Sequence, residues 1–307
     1  MKRKLSSLLL LLVSLLTLAS CSLPGLATAT SDNTIAITGG ITSEAQILAS
    51  LVAEMIEHDT DKETTIINNL ATTTINHQAM MQGDAQVSAA RYTGTDLTTT
   101  LNLEPTKDPE EAFKIVKREF ASRFDQTYMP SYGFDNTYIF LVRKDTAEKY
   151  NLKTVSDLAD HAGELVAGVD TAWITREGDG YEGFKEEYGF SFESILPMQI
   201  GLVYDAVAAG KMDIVLGYST DGRIASYDLV MLEDDRHFFP PYDAAAVISN
   251  GLLKESPEVK DAIAKLAGKI DTEQMQKLNY EADNNLVEPS IVAQSFLADH
   301  NYFEKEE

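Results

Sequence analysis

Four tyrosines sit where a side chain is displayed rather than simply packed. Arg91-Tyr92-Thr93-Gly94-Thr95 follows the strand-like Gln86-Val87-Ser88, and Asp135-Asn136-Thr137-Tyr138 runs from a turn into an apolar stretch. Leu216-Gly217-Tyr218-Ser219-Thr220-Asp221-Gly222 places a third ring at the carboxyl end of a strand, the edge at which open α/β sheets bind ligands. The fourth ring, Tyr242, stands directly behind Pro240 and Pro241, whose fixed φ and missing N–H groups make a stiff arm. Taken singly, each ring reads as packing. Together they read as an aromatic box, and electron-rich faces suit a quaternary ammonium, which has no N–H to donate.

Other chemistries find little support. His58, His77, His161, His237 and His300 share no metal-ligand spacing and have no cysteine near them, so no metal site is expected; His77 reads as a helix-surface or packing residue. GxSxG, P-loop and GxGxxG patterns are absent, which removes the recognisable hydrolase, NTPase and dinucleotide motifs, and no cofactor is expected. With 48 Asp and Glu residues, spacing singles out no catalytic pair, and each acid taken alone reads as solvated surface. An enzyme is not indicated.

The N-terminus fixes an expected compartment. Lys2, Arg3 and Lys4 precede the apolar run Leu8 to Leu18, which closes on Leu18-Ala19-Ser20-Cys21. This reads as a secretory leader over 1–20, since the run is shorter than the roughly 20 residues of a membrane span. Cys21 is the single cysteine of the 307-residue chain, so no internal disulfide is available. LASC is similar to the lipobox of bacterial lipoproteins, which makes Cys21 the expected lipidation site and 21–33, rich in Ser, Thr, Ala and Pro, a tether. The formal charge of −23 becomes about −26 without the leader's three basic residues. That acidic surface repels nucleic acid and tolerates a cationic ligand.

The elements that must position the rings alternate β-branched runs with amphipathic helices. Thr34 to Thr38 reads as a strand, and Ser43-Glu44-Ala45-Gln46 as a capping box opening a helix with Ile47, Leu48, Leu51, Val52 and Met55 on one face. Asp108-Pro109-Glu110-Glu111 opens a second helix carrying Phe113, Val116 and Phe120. Tyr138–Val142, Leu165–Val169 and Asp213–Leu216 read as strands, Ser156 as a helix cap, Tyr204 to Ala209 as helix, and the chain beyond Pro257 as helical. The order predicts an α/β fold with mainly parallel sheets.

The stretches GDAQVSAARYTGT, GFDNTYIFLV, AAGKMDIVLGYSTDGRI and FPPYDAA, in this order and spacing, resemble the substrate-binding lipoproteins of osmoprotectant ABC importers for glycine betaine, carnitine and choline. The resemblance spans essentially the whole mature chain. It implies a two-lobed, periplasmic-binding-protein-like flytrap with two hinge crossings: lobe 1 over 34–132 and 240–307, lobe 2 over 133–239. It also implies a monomer, lipid-anchored to the outer face of the cytoplasmic membrane, that hands its ligand to an ABC permease driven by a separate ATPase. In that family four tyrosines enclose the trimethylammonium group, and they correspond here to Tyr92, Tyr138, Tyr218 and Tyr242. Thr95 and Asn136 are the nearby polar candidates for the rest of the ligand, and Tyr204 is expected to pack instead. The chain departs from several relatives at Gly40, where they carry glutamine, and at Asn69-Leu70-Ala71-Thr72-Thr73, which lacks paired glycines. A choline-restricted binder, an extracellular sensor and an exported enzyme acting on such amines are the alternatives.

Overall fold

The structure is a computed structural model that describes residues 33–176 and 178–303. The leader at 1–20, Cys21 and all of the tether except Asn33 lie outside the described residues.

Two five-stranded sheets organise the molecule. The first has the order β2-β1-β3-β10-β4 and is built from β1 (Thr34–Thr38), β2 (Glu63–Ile67), β3 (Val87–Tyr92), β4 (Gln126–Tyr128) and β10 (Ala244–Ser249). The second has the order β7-β6-β8-β5-β9, from β5 (Tyr138–Arg143), β6 (Val166–Asp170), β7 (Ser194–Met198), β8 (Ile214–Tyr218) and β9 (Leu229–Met231). The chain leaves the first sheet after β4, completes the whole of the second, and returns in β10. Its two crossings run side by side. Asp135 bridges Asp243, the Asn136 N–H donates to the Tyr242 carbonyl at 3.2 Å, and the Ala244 N–H donates to the Phe134 carbonyl at 3.2 Å.

The sheets are mixed, not mainly parallel. β1 pairs in parallel with β3, and β6 with β7 and β8, but β10 runs antiparallel to β3 and β4, and β5 antiparallel to β8 and β9. The exceptions are the strands that begin just after a crossing. A strand fed by a helical crossover runs toward the cleft edge, whereas one fed from the other sheet starts at that edge and runs away from it. Strands therefore either end or begin at the crossings, and both ends can display a ring there.

Helix α1 (Ser43–Asp59) buries Ile47, Leu48, Leu51, Val52 and Met55 completely, as their spacing predicts. Each contributes about 1.5–3 kcal/mol by leaving water, so Leu48→Ala costs about 2–5 kcal/mol. The predicted capping box is displaced by one residue. Thr42 is the cap, its hydroxyl accepting from the Ala45 N–H at 3.3 Å, and Ser43 and Glu44 lie inside the first turn. α2 (Thr73–Gln82) carries His77 against Phe124, ring centres 4.4 Å apart, the packing role expected of it. α3 (Pro109–Phe124) starts as predicted, with the Asp108 carboxylate accepting from the N–H groups of Glu110 and Glu111 and Pro109 in the first turn. Ser156 caps nothing: it opens a short 3-10 segment, and Asp157 instead accepts from the N–H groups of Lys153 and Thr154 at 2.9 and 2.8 Å. The second sheet is covered by α4 (Tyr181–Tyr188) and α5 (Ile200–Ala208), around an aromatic core of Phe140, Trp173, Phe184, Phe192 and Phe239. The tail is helical as expected and includes α6 (Thr272–Asp283) and α7 (Pro289–Asp299). No helix among the described residues is long and apolar enough to cross a membrane.

Candidate functional site

All four tyrosines stand where strands meet the crossings. Tyr92 ends β3, Tyr138 begins β5, Tyr218 ends β8, and Tyr242 lies two residues before β10. Tyr138 and Tyr218 are register partners, and their ring centres are 5.2 Å apart at 40°. Tyr92 is opposite Ala244 in the β3–β10 ladder, which brings its backbone beside the segment carrying Tyr242. Neither Tyr92 nor Tyr242 stacks on another of the four.

Each ring has its own fastening. The Tyr92 hydroxyl donates to Glu44 Oε1 at 2.6 Å; burial, and next the Glu44 carboxylate, push that phenol well above its ordinary pKa. The Tyr138 hydroxyl donates to Asp170 Oδ2 at 2.8 Å, and its pKa too is raised, first by burial. The Tyr218 N–H donates to the Tyr204 hydroxyl at 2.7 Å. Tyr204, 1% exposed, packs as expected and in doing so holds the end of β8. The Tyr242 N–H donates to Asp135 Oδ1 at 2.6 Å, and its hydroxyl accepts from Arg176 Nη2 at 2.7 Å. Burial pushes the Tyr242 phenol up to about 12, with the guanidinium opposing.

Gly94 explains how Tyr242 fits. A Cβ there would meet the Pro241 carbonyl oxygen at 2.6 Å and the Tyr242 ring at 3.1 Å, so only glycine lets the turn after β3 lie against the proline arm. That turn is itself clamped. Arg91 and Asp96, 1% and 0% exposed, bracket Tyr92–Thr95 with an ion pair; Arg91 Nε donates to Asp96 Oδ2 at 3.0 Å, and Tyr128 and Thr100 donate to the same carboxylate at 3.1 and 2.8 Å. Such a pair contributes little net stability, but removing either partner strands a charge in the core. Thr95 is half-buried in this turn, directly after the glycine that lies against the Tyr242 ring.

Two residues important to this geometry are not distinguished by sequence reasoning. Glu44 is 4% exposed and acts as a hub: besides Tyr92 it accepts from Asn136 Nδ2 at 2.8 Å and from Asn279 Nδ2 at 3.1 Å. Asn279 also donates to the Thr220 carbonyl at 2.9 Å, joining α6 to the end of β8. Arg176 is the second. Its guanidinium carbon lies 5.7 Å from the Tyr138 ring centre, its Nε pairs with Asp179 at 2.9 Å, and it reaches Tyr242. A cation thus already lies over one of the four rings. Asn136, on the first crossing, is tied to α1 and to the second crossing, since its side chain donates to Glu44 and its N–H to the Tyr242 carbonyl.

A cavity of about 660 Å³ is lined by Thr98, Lys107, Arg176, Glu187, Phe238 and, alone of the four tyrosines, Tyr242; Lys107 and Glu187 in its wall are paired at 2.9 Å. A smaller one, about 120 Å³, is lined by Thr38, Gly40, Thr42, Thr72 and Tyr92. At Gly40 a Cβ would come within 2.6 Å of the Ala45 Cβ, so any side chain there requires α1 to shift. In place of paired glycines, Asn69 takes a left-handed φ of 64° and Thr72 caps α2. Among the described residues no group of three or more His, Cys, Asp and Glu could hold a metal ion.

The OpuAC family model, the substrate binding domain of the ABC-type glycine betaine transport system, matches residues 33–299. The chain belongs to that family. It is 56% identical over 306 residues to the carnitine transport binding protein OpuCC of Listeria monocytogenes, covering 99% of each chain. A crystal structure of a glycine betaine/carnitine/choline ABC transporter protein is similar at TM-score 0.86 and 54% identity, over 88% of this chain and 100% of that one. Apo YehZ of Escherichia coli, at 22% identity, shares the fold at TM-score 0.77 over 88% of this chain and 99% of its own. The two-lobed binding-protein architecture expected from the sequence is the architecture of the family.

Proposed function

We propose that the chain is the extracytoplasmic receptor of an ABC importer, and that it captures quaternary ammonium compounds, glycine betaine, carnitine and choline, with Tyr92, Tyr138, Tyr218 and Tyr242. The observation that supports this is the guanidinium of Arg176, which lies over the Tyr138 ring and donates to the Tyr242 hydroxyl: two of the four tyrosines already border a cation. Carnitine is the ligand in the name of the 56% identical relative. Each desolvated ring is worth about 1–2 kcal/mol to a cation, so four supply roughly 4–8 kcal/mol before closure, against about 8 for a micromolar constant. Contacts to the other end of the ligand supply the difference. Arg176, once its place over Tyr138 is taken by ligand, is the charged partner for a carboxylate, and Thr95 and Asn136 are the neutral ones.

In this reading the lobes are 34–132 with 240–307, and 133–239; the paired crossings are the hinge, and a ligand bridging rings of both sheets holds the lobes closed. Catalysis is not part of it. The chain acts as a monomer, anchored through Cys21 to the outer face of the cytoplasmic membrane, and delivers its ligand to a separate permease and ATPase. Isothermal titration of the purified mature chain against glycine betaine, carnitine and choline tests this. Saturable binding of all three is expected; binding of choline alone replaces the broad reading with a choline-restricted one, and binding of none removes the proposal.

A further inference from the structure

Two of the four rings are alike in a way the other two are not. Tyr92, ending a strand of the first sheet, and Tyr138, beginning a strand of the second, each donate the phenol proton to a carboxylate, Glu44 at 2.6 Å and Asp170 at 2.8 Å. Tyr242 does the opposite and accepts from a guanidinium. Both carboxylates are fixed. Glu44 is held by Asn136 and Asn279 within the first turn of the 17-residue α1, where the helix N-terminus favours negative charge. Asp170 is the last residue of β6, immediately before the short helix Thr171–Ile174.

A phenol that donates to an anion carries more electron density into its ring, and the ring face attracts a cation through that density. The carboxylate behind the ring adds its own attraction in a site of reduced dielectric. Neither effect reaches a neutral group of the same shape. We propose that Glu44 and Asp170 are specificity-determining residues: one behind a ring of each sheet, they make the box select for the positive charge of a trimethylammonium group rather than for its shape. This rests on the cage reading above.

The discriminating pair of probes is choline and its uncharged isostere 3,3-dimethylbutan-1-ol, titrated against the full mature chain and against Glu44→Gln and Asp170→Asn. Each amide retains an oxygen to accept from the phenol while the charge is removed, and at Glu44 the amide NH2 takes the place of the oxygen that accepts from Asn279. In the unaltered protein choline binds far more tightly than the alcohol. Each variant is expected to lose about 5- to 30-fold in choline affinity with little change for the alcohol, so the ratio falls. Equal losses for both probes, or no loss, overturn the inference and leave the cage reading standing; an unaltered protein that binds no quaternary amine removes the cage reading itself. Should either amide variant fail to fold, as judged by its thermal unfolding, Tyr92→Phe and Tyr138→Phe carry the test. They break the phenol-to-carboxylate bond while retaining the ring, and must also lower the choline-to-alcohol ratio; an unchanged ratio overturns the inference.

Discussion

The carboxylate of Asp135 accepts the N–H of Tyr242 at 2.6 Å, so each crossing of the chain holds the other at the residue that carries the Tyr242 ring. Burial pushes the Asp135 carboxyl up to about 7, the Tyr242 N–H opposing and neighbouring Asp243 adding to the rise. For an acid whose folded pKa lies above its unfolded value, the folded state binds more protons between the two, so this group's contribution to stability falls as pH rises from about 4 to about 7 and is level above. Asp135→Asn keeps an acceptor for Tyr242 and removes the titration. Denaturant unfolding at pH 5 and pH 8 should show the variant gaining on the parent at the higher pH, by at most about 3 kcal/mol. A pH-independent difference would contradict the assignment.

Gly94→Ala should act on Tyr242 at a distance of one side chain. The new methyl meets the Pro241 carbonyl oxygen at 2.6 Å, closer than a Cβ tolerates, and crowds the Tyr242 ring at 3.1 Å, so either the turn or the proline arm moves. Expected effects are about 1–3 kcal/mol of lost stability and at least tenfold weaker binding of glycine betaine, measured by thermal unfolding and titration. Unchanged binding would mean that Tyr242 does not serve the ligand.

Thr95→Asp bears on selectivity. An aspartate in that half-buried turn repels a ligand carboxylate by several kcal/mol in a closed site and leaves an alcohol alone. Glycine betaine and carnitine should lose far more affinity than choline. Equal losses would place Thr95 away from the carboxylate end.

Arg176→Gln makes the same separation by removing a positive charge rather than adding a negative one. Removing the guanidinium vacates the face of Tyr138, where it now competes with the ligand cation, and deletes the carboxylate's charged partner. Choline affinity should hold or rise, while glycine betaine affinity falls about tenfold or more. Competition titrations with the two ligands read both at once, and parallel changes would dissociate Arg176 from the ligand.

Cys21→Ser concerns anchoring. The variant should appear in the medium rather than the membrane fraction, with ligand binding by the mature chain intact. Retention on the membrane would show that another segment anchors it.

The fold was legible where one rule acted alone. The period of Ile47, Leu48, Leu51, Val52 and Met55 marks the buried face of α1, and Asp108-Pro109 marks the start of α3, because burial and capping there are local. The strand directions were not, since the direction of β5 and β10 is set by the crossings rather than by their composition. Of the site, the rings announce themselves by standing at turns and strand ends. Their supports do not. Glu44 is one acid among 48, and in sequence its place three residues before Ile47 reads as helix capping; only the return of Asn136 and Asn279 to the same point makes it a hub. Arg176 follows a short helix in a turn-rich stretch, and no periodicity distinguishes it from a surface arginine until Tyr138 and Tyr242 are seen on either side. A small local signal existed for Gly94: a glycine beside a displayed tyrosine invites a close backbone approach.

Trp173 is the sole tryptophan in the sequence, and it is fully buried among Phe140, Tyr181, Phe184 and Phe239. Its indole N–H donates to the carbonyl of Asp179 at 2.7 Å, Asp179 pairs with Arg176, and Arg176 reaches Tyr242. The molecule therefore carries a built-in optical probe three links from the rings. An event that moves Arg176 is expected to disturb Asp179 and with it the surroundings of that indole, so a shift in tryptophan emission on adding ligand would read occupancy without a label.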